Sequence, residues 1–156
     1  MFVPKNEVDM LRNMSCAKRL IRIGGELIDH VSPMLQTRVH RAIQEILSAT
    51  YDAVLEAQIV VPSKTQVELL RVLVVNNVQY IQGAEVQTHR GHFDWATQEA
   101  CFKHGWISSR PGYVNSWESY WQIEEDGRIA KSLHYMITCG ESYDVAVPRE
   151  LLDAVK

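Results

Sequence analysis

The chain has 156 residues, of which 46% are hydrophobic and 22% are charged, and this content suits one compact unit or a small domain with a helical extension. Its formal net charge is −3 and its sequence pI is about 6.1, whereas a dedicated nucleic-acid binder more often carries a basic excess. Repeats, low-complexity tracts and long charge blocks are absent from the sequence.

Cysteine usage and the N-terminus predict a cytoplasmic protein. Cys16, Cys101 and Cys139 are odd in number and widely spaced, so we expect reduced thiols rather than a disulfide framework. The first residues show no basic start followed by a long apolar core, and no signal peptide is expected. The longest apolar runs fall far short of the roughly 20 residues that cross a bilayer, so no membrane association is predicted.

The N-terminal part reads as helical. Residues 7–23 form one predicted helix, which Gly24 and Gly25 end or kink. Ser32 followed by Pro33 predicts the start of a second helix that runs to about Gln58. Its expected inward face follows three-four spacing: Leu35, Val39, Ala42, Ile43, Ile46, Ala49, Ala53, Val54 and Ala57. So long a helix packs either within its own chain, which is favoured, or on a dimer partner.

The stretch before Pro62 is extended and marks the predicted boundary between residues 1–61, a helical extension and candidate dimerisation element, and residues 62–156. A capping box from Ser63 to Gln66 opens a helix to about Val75, followed by a strand over 78–81. Residues 84–88 are expected to form one helical turn, and residues 89–92 a loop.

Asp94 is predicted to cap a helix that ends near His104, with Gly105 just beyond it in a left-handed conformation. A strand over 107–110, a turn at 111–113 and a second strand around residues 120–122 follow. A helix over 127–137, closed by Gly140, and a short helix that starts near Pro148 complete the chain.

Two motifs then carry a family resemblance. The run Phe102–Ile107 (FKHGWI) is similar to the "x-x-x-Gly-Leu-Ile" that ends the recognition helix of winged helix-turn-helix domains. The run Tyr120–Arg128 (YWQIEEDGR) looks like the "Tyr-x-Leu-Thr-x-x-Gly-Arg" between their third strand and last helix. The resemblance covers about residues 63–137. It implies an α+β, mostly helical fold: a winged helix-turn-helix domain with a small antiparallel wing and an N-terminal two-helix extension.

This resemblance implies a dimeric regulator that binds double-stranded DNA. The extension would pair two protomers, the helix over 94–104 would face the major groove, and the wing over 111–119 would touch the backbone. Gln98 is expected to read adenine. Asp94 and Glu99 are expected to point outward with Gln98, and these two carboxylates oppose the phosphates. The predicted DNA-binding residues are Arg90, His92, Thr97, Gln98, Lys103 and Arg110.

The alternative is a protein-interaction module without DNA binding, for example a viral or mobile-element protein that binds and inhibits a host factor. The acidic pI, the carboxylates on the recognition helix and the density of aromatic residues in this half of the chain favour it. Tyr113 and Trp117, in the wing loop, are the predicted partner-binding residues.

Catalysis and metal binding have little sequence support. His89-x-x-His92 and Cys101-x-x-His104 have the layout of a tetrahedral zinc site, but a buried Cys101 with solvated histidines is favoured, so no metal or cofactor is predicted. A metal-dependent enzyme that uses His89, His92 and His104 is the third class of function considered. The chain has no Gly-rich phosphate loop, nucleophile elbow or paired-carboxylate motif, and we expect it not to be an enzyme.

Overall fold

The computed structural model describes residues 12, 14–22, 32–76, 78–81, 86–88, 91–109 and 118–156. The chain is α+β, as the sequence predicts. It divides into two compact units: unit 1 comprises Met1–Val61 and Tyr135–Val155, and unit 2 comprises Pro62–His134 with Lys156. The change of unit after Val61 falls where the sequence places its boundary, but residues 135–155, which the sequence assigns to the second domain, belong to unit 1.

Unit 1 contains helix α1, whose described residues are 12 and 14–22, and the long helix α2, Pro33–Glu56. The Ser32 hydroxyl accepts a hydrogen bond from the Leu35 amide at 3.3 Å, so the predicted cap is confirmed. The buried side of α2 is rotated from the predicted one, since Leu35 is 45% exposed. Its fully buried positions recur every three or four residues, as one helix face does: Ile43, Leu47, Thr50, Tyr51 and Val54.

The C-terminal residues of unit 1 are tied to α2 by hydrogen bonds. They comprise the end of helix α5, which spans Glu125–Thr138, a 3₁₀ turn at Glu141–Tyr143 and helix α6, Arg149–Ala154. The Tyr51 hydroxyl donates to the Met136 carbonyl at 2.5 Å, and Gln44 Nε2 donates to the Tyr143 carbonyl at 2.8 Å. Burial raises the pKa of Tyr51 above its ordinary value, so this hydroxyl stays a donor.

Unit 2 opens with helix α3, Lys64–Val75. Its predicted capping box is present, because Ser63 Oγ accepts from the Gln66 amide and Gln66 Oε1 accepts from the Ser63 amide. In chain order there follow β1 (Val78–Ile81), β2 (Val86–Thr88), β3 (Gly91–Phe93), α4 (Trp95–Lys103), β4 (Ile107–Ser109), β5 (Glu118–Ile123) and the start of α5.

Two antiparallel sheets lie in unit 2. The larger has the strand order β1-β5-β4, with Val78 opposite Trp121 and Ile107 opposite Ile123. The smaller is the hairpin of β2 and β3, in which Gln87 pairs with His92. The helical turn predicted for residues 84–88 is therefore wrong for residues 86–88, and the loop predicted for residues 89–92 is wrong for residues 91–92. Pairing with the neighbouring strand supplies partners for backbone groups that a single helical turn leaves unmatched.

The core of unit 2 lies where α3 and α4 pack with the larger sheet and with α5. Phe93, at the end of β3, and Cys101 of α4 are buried with the two indole rings of this core. Its buried members are Leu69, Leu70, Val72, Leu73, Phe93, Cys101, Trp106, Ile107, Trp121 and Ala130. Within the described parts of the chain, no helix combines the length and the apolar character needed to cross a membrane.

Candidate functional site

Helix α4 is the element that the sequence singles out as a recognition helix, and both of its ends follow local signals. Asp94 Oδ1 accepts a hydrogen bond from the Thr97 amide at 2.8 Å. The side-chain and backbone hydrogen bonds of Thr97 lower the pKa of the Asp94 carboxyl, so it remains ionised at the helix start. Beyond the last turn, Gly105 has φ +74°, the left-handed conformation that glycine adopts without strain.

Gln98 does not point outward. Its side chain is 0% exposed, which corrects the prediction that it reads a base. Gln98 Nε2 donates to the Phe93 carbonyl at 2.9 Å and to the Asp94 carbonyl at 3.2 Å, while Gln98 Oε1 accepts from Trp121 Nε1 at 3.0 Å. Each polar group of the amide therefore has a protein partner, which is how a buried amide avoids a desolvation penalty. Gln98 joins the start of α4 to strand β5.

Thr97, another predicted DNA contact, is also buried, and this prediction of an outward side chain is corrected too. Lys103 does lie on the surface, where its Nζ is 3.1 Å from Glu99 Oε1. This spacing places Glu one turn before Lys, the favourable order for a helical ion pair. On the surface of α4, the positive charge of Lys103 is therefore matched by a carboxylate.

Two partly exposed aromatic rings lie on α4 at the border of its buried side, because buried Gln98 is three residues after one and four before the other. Trp95 is 38% exposed and Phe102 is 49% exposed. They are seven residues apart, two helical turns, so they lie on the same side of the helix about 10 Å apart along its axis. The Phe102 ring packs against Trp121, with centroids 5.5 Å apart and an interplanar angle of 46°. Neither ring is among the predicted partner-binding residues, although their two-turn spacing is visible in the sequence.

A small polar network lies between β4 and β5. The Ser108 hydroxyl donates to Glu124 Oε1, and Gln122 Nε2 donates to Ser108 Oγ at 3.0 Å. The His104 ring instead stacks on Trp106, with centroids 4.5 Å apart. Ser108 is thus hydrogen-bonded to a carboxylate and an amide. Among the described residues, it is not hydrogen-bonded to the His104 imidazole that a nucleophile–base pair requires.

Cys101 and His104, the two candidate zinc ligands from α4 and its C-cap, are not placed as a pair of metal ligands. Cys101 is buried, and this burial raises the pKa of its thiol to about 12, whereas a zinc-bound cysteine is a thiolate. His104 is exposed, and its ring stacks on Trp106. Among the residues whose positions are described, no group of three or more histidine, cysteine or carboxylate side chains is arranged to hold a metal ion.

Several predicted site residues lie outside the described residues, namely His89, Arg90, Arg110, Tyr113 and Trp117. The backbone of His92 lies in β3, but its side chain is likewise outside the description. The predicted wing contacts therefore stay predictions, and the histidine pair of the disfavoured zinc layout lies outside the described side chains. The part of the site that can be built from geometry is the surface of α4.

No protein-family model matches the chain, and neither a curated protein nor a solved structure matches it significantly. The function must therefore be inferred from the surface itself and from the order of the elements that hold it.

Proposed function

We propose that unit 2 is a winged-helix-like module that binds a protein partner through the exposed surface of α4. The winged-helix part of this proposal is supported by the element order from α3 to α5 and by the antiparallel strand order β1-β5-β4. Between β1 and α4, where the family has a helix, this chain has the hairpin of β2 and β3. The helix pair that positions a recognition helix in the DNA-binding family is thus replaced here by a hairpin and a helix.

The observation that carries the proposal is that Trp95 and Phe102, two turns apart on one side of α4, are both partly exposed. Aromatic rings are enriched at the centres of protein interfaces, because they bury a large apolar area and lose little conformational entropy. The ion pair between Glu99 and Lys103 lies on the same helix and is suited to the polar rim of such a patch.

The same surface is a poor match for a phosphate backbone. Asp94, Glu99 and Lys103 contribute two carboxylates and one ammonium group to the exposed part of α4 and its cap. Moreover, the Asp94 carboxylate already accepts from an amide at the helix N-terminus, where a phosphate would otherwise bind. With Gln98 buried, the adenine contact expected from the sequence has no side chain to make it.

A dimeric DNA-binding regulator is the second candidate function. The winged-helix-like order of elements supports it by analogy with that family, and Lys103 lies on the helix that would enter the groove. Dimerisation through residues 1–61 belongs to the same candidate. The apolar side chains of Met34 and Leu35, exposed at the start of α2, favour it.

A cross-linking experiment with the full-length chain as bait in an extract of its own cells would test the proposal. The double variant W95A/F102A is expected to lose a cross-linked protein that the wild type and V74A/V75A both retain. Val74 and Val75 are exposed apolar residues on α3, so this control removes similar surface from another helix. If both double variants retain the same partners, α4 is not the binding surface.

A titration of the wild type and K103E with duplex DNA separates the two candidates. At about 50 mM salt, where phosphate contacts are strongest, we expect the charge reversal to leave duplex affinity unchanged within about twofold. Duplex binding that falls at least about tenfold in K103E would establish the DNA-binding candidate instead.

A further inference from the structure

Helix α1 carries a strongly basic surface in a chain whose net charge is negative. Its described helical residues include Arg12, Lys18, Arg19 and Arg22, all exposed, and no carboxylate. No ion pair with a carboxylate engages Arg19 or Arg22 within the part of the chain that the structure describes. Positive charge is therefore concentrated on one helix of a protein whose formal net charge is −3.

The opposite side of α1 is packed inside unit 1. Met14 and Ala17 are buried on the side that points away from Arg19, while exposed Lys18, four residues after Met14, lies at the edge of that side. A helix that binds a membrane surface must offer its apolar face to the lipid, but this face is already covered by protein. The basic side is thus the part of α1 available to a ligand, and the ligand it attracts is an anion in water.

A groove lies between α1 and Tyr135 of α5. It is lined by Lys18, Arg19, Ile21, Arg22 and Tyr135, and its volume is about 310 Å³. Ligand pockets span about 300–1,000 Å³, so this groove can receive a group the size of a single nucleobase. The Tyr135 ring is 44% exposed, and Ile21 adds an apolar wall.

We propose that this α1–α5 groove binds single-stranded nucleic acid. Arg19, Arg22 and Lys18 contact the phosphates, and a base enters the groove to stack on the Tyr135 ring. A cationic track with an aromatic platform is the combination that holds single strands without sequence readout, because every base has a stacking face. An acidic peptide would use the cations but has no planar group for Tyr135. This inference concerns unit 1 and is independent of the protein-binding role proposed for α4.

Fluorescence anisotropy of the full-length chain with a labelled single-stranded oligonucleotide of about 12 residues tests the proposal at about 50 mM salt. We expect R19E/R22E to bind at least about tenfold more weakly than the wild type. The matched control is R38E/R41E, which makes the same charge change on exposed positions of α2 and should stay within about twofold of the wild type. Circular dichroism would verify that each variant is folded, and R19Q/R22Q provides a milder replacement.

Replacement of Tyr135 tests separately whether a base stacks on its ring. Tyr135→Ala should weaken binding at least about fivefold, the lower end of the loss when one base–aromatic stack is removed, while Tyr135→Phe should keep wild-type affinity. The proposal is overturned if the wild type does not bind, or if the two charge-reversal variants lose affinity equally. It is also overturned if duplex DNA or polyglutamate of equal charge competes as well as the single strand, because the groove would then respond to charge alone.

Discussion

The replacement Gln98→Leu tests whether this glutamine is a structural link or a surface reader of DNA. Leucine nearly conserves the volume but removes the acceptor of Trp121 Nε1 and the donor to the Phe93 carbonyl. The Asp94 carbonyl also loses a side-chain donor, but it keeps its hydrogen bond from the Gln98 backbone amide at 3.2 Å, so it is not counted among the groups left without a partner. A buried polar group that loses its partner costs about 1–3 kcal/mol, so the two groups together predict a loss of about 2–6 kcal/mol in the free energy of unfolding.

Urea unfolding followed by tryptophan fluorescence measures this loss, because all four tryptophans lie within residues 62–134 and report on unit 2. Glu99→Ala is the control. Glu99 is the next residue along α4, and it forms a surface ion pair that contributes up to about 1 kcal/mol to the free energy of unfolding. A Gln98→Leu variant that is no less stable than Glu99→Ala would refute the reasoning, and Gln98 would then be available for a surface role.

The remaining predictions concern two glycines and two thiols. Gly140→Ala should lower the free energy of unfolding by about 1–3 kcal/mol in thermal or urea melts, because an added Cβ would lie 2.5 Å from the Tyr51 hydroxyl oxygen. Gly105→Ala meets no atom within 4 Å and should lose only about 1–2 kcal/mol, from the left-handed backbone; a larger loss than at Gly140 would contradict this ranking. At neutral pH, a thiol reagent should modify exposed Cys16 first and Cys101 only after unfolding, as peptide mass mapping would show. Equal labelling of both thiols in the native state would contradict the burial of Cys101. The folded-state pKa of the Cys101 thiol, about 12, exceeds its ordinary value, so this group's contribution to stability is present below about pH 8.5 and is lost as pH rises toward 12.

The helix starts that the sequence predicts are those set by groups within four residues of one another. Ser32, Ser63 with Gln66, and Asp94 each cap the helix that follows them, and Gly105 takes its left-handed conformation after α4. These features were predictable because the hydrogen bond or backbone angle in question depends on adjacent residues alone.

The orientation of α4 was not predictable in the same way. The resemblance to a recognition helix predicts that Gln98 and Thr97 face outward, but Gln98 finds its acceptor and donor groups on Phe93 and Trp121, the latter a partner 23 residues away. On a helix of nine residues with few strongly apolar positions, the sequence pattern does not indicate which side faces the sheet. The register of β5 brings the Trp121 indole to Gln98, and that contact sets the buried side.

A similar limit applies to residues 86–93. The sequence predicts a helical turn over residues 84–88, yet Val86–Thr88 pairs with Gly91–Phe93 as a hairpin. Three-residue segments carry too little periodicity to separate a turn from a strand, and the neighbouring strand supplies the hydrogen bonds that decide between them.

The sequence alone determined where α2, α3 and α4 begin, and it indicated an α+β chain with a boundary before Pro62. Only the tertiary structure decided that residues 135–155 belong with the N-terminal unit, that Gln98 is buried and that Trp95 and Phe102 are partly exposed. The physical reason is the range of the interactions. Caps and left-handed glycines are short-range, whereas the choice of a buried face depends on partners that lie far away along the chain.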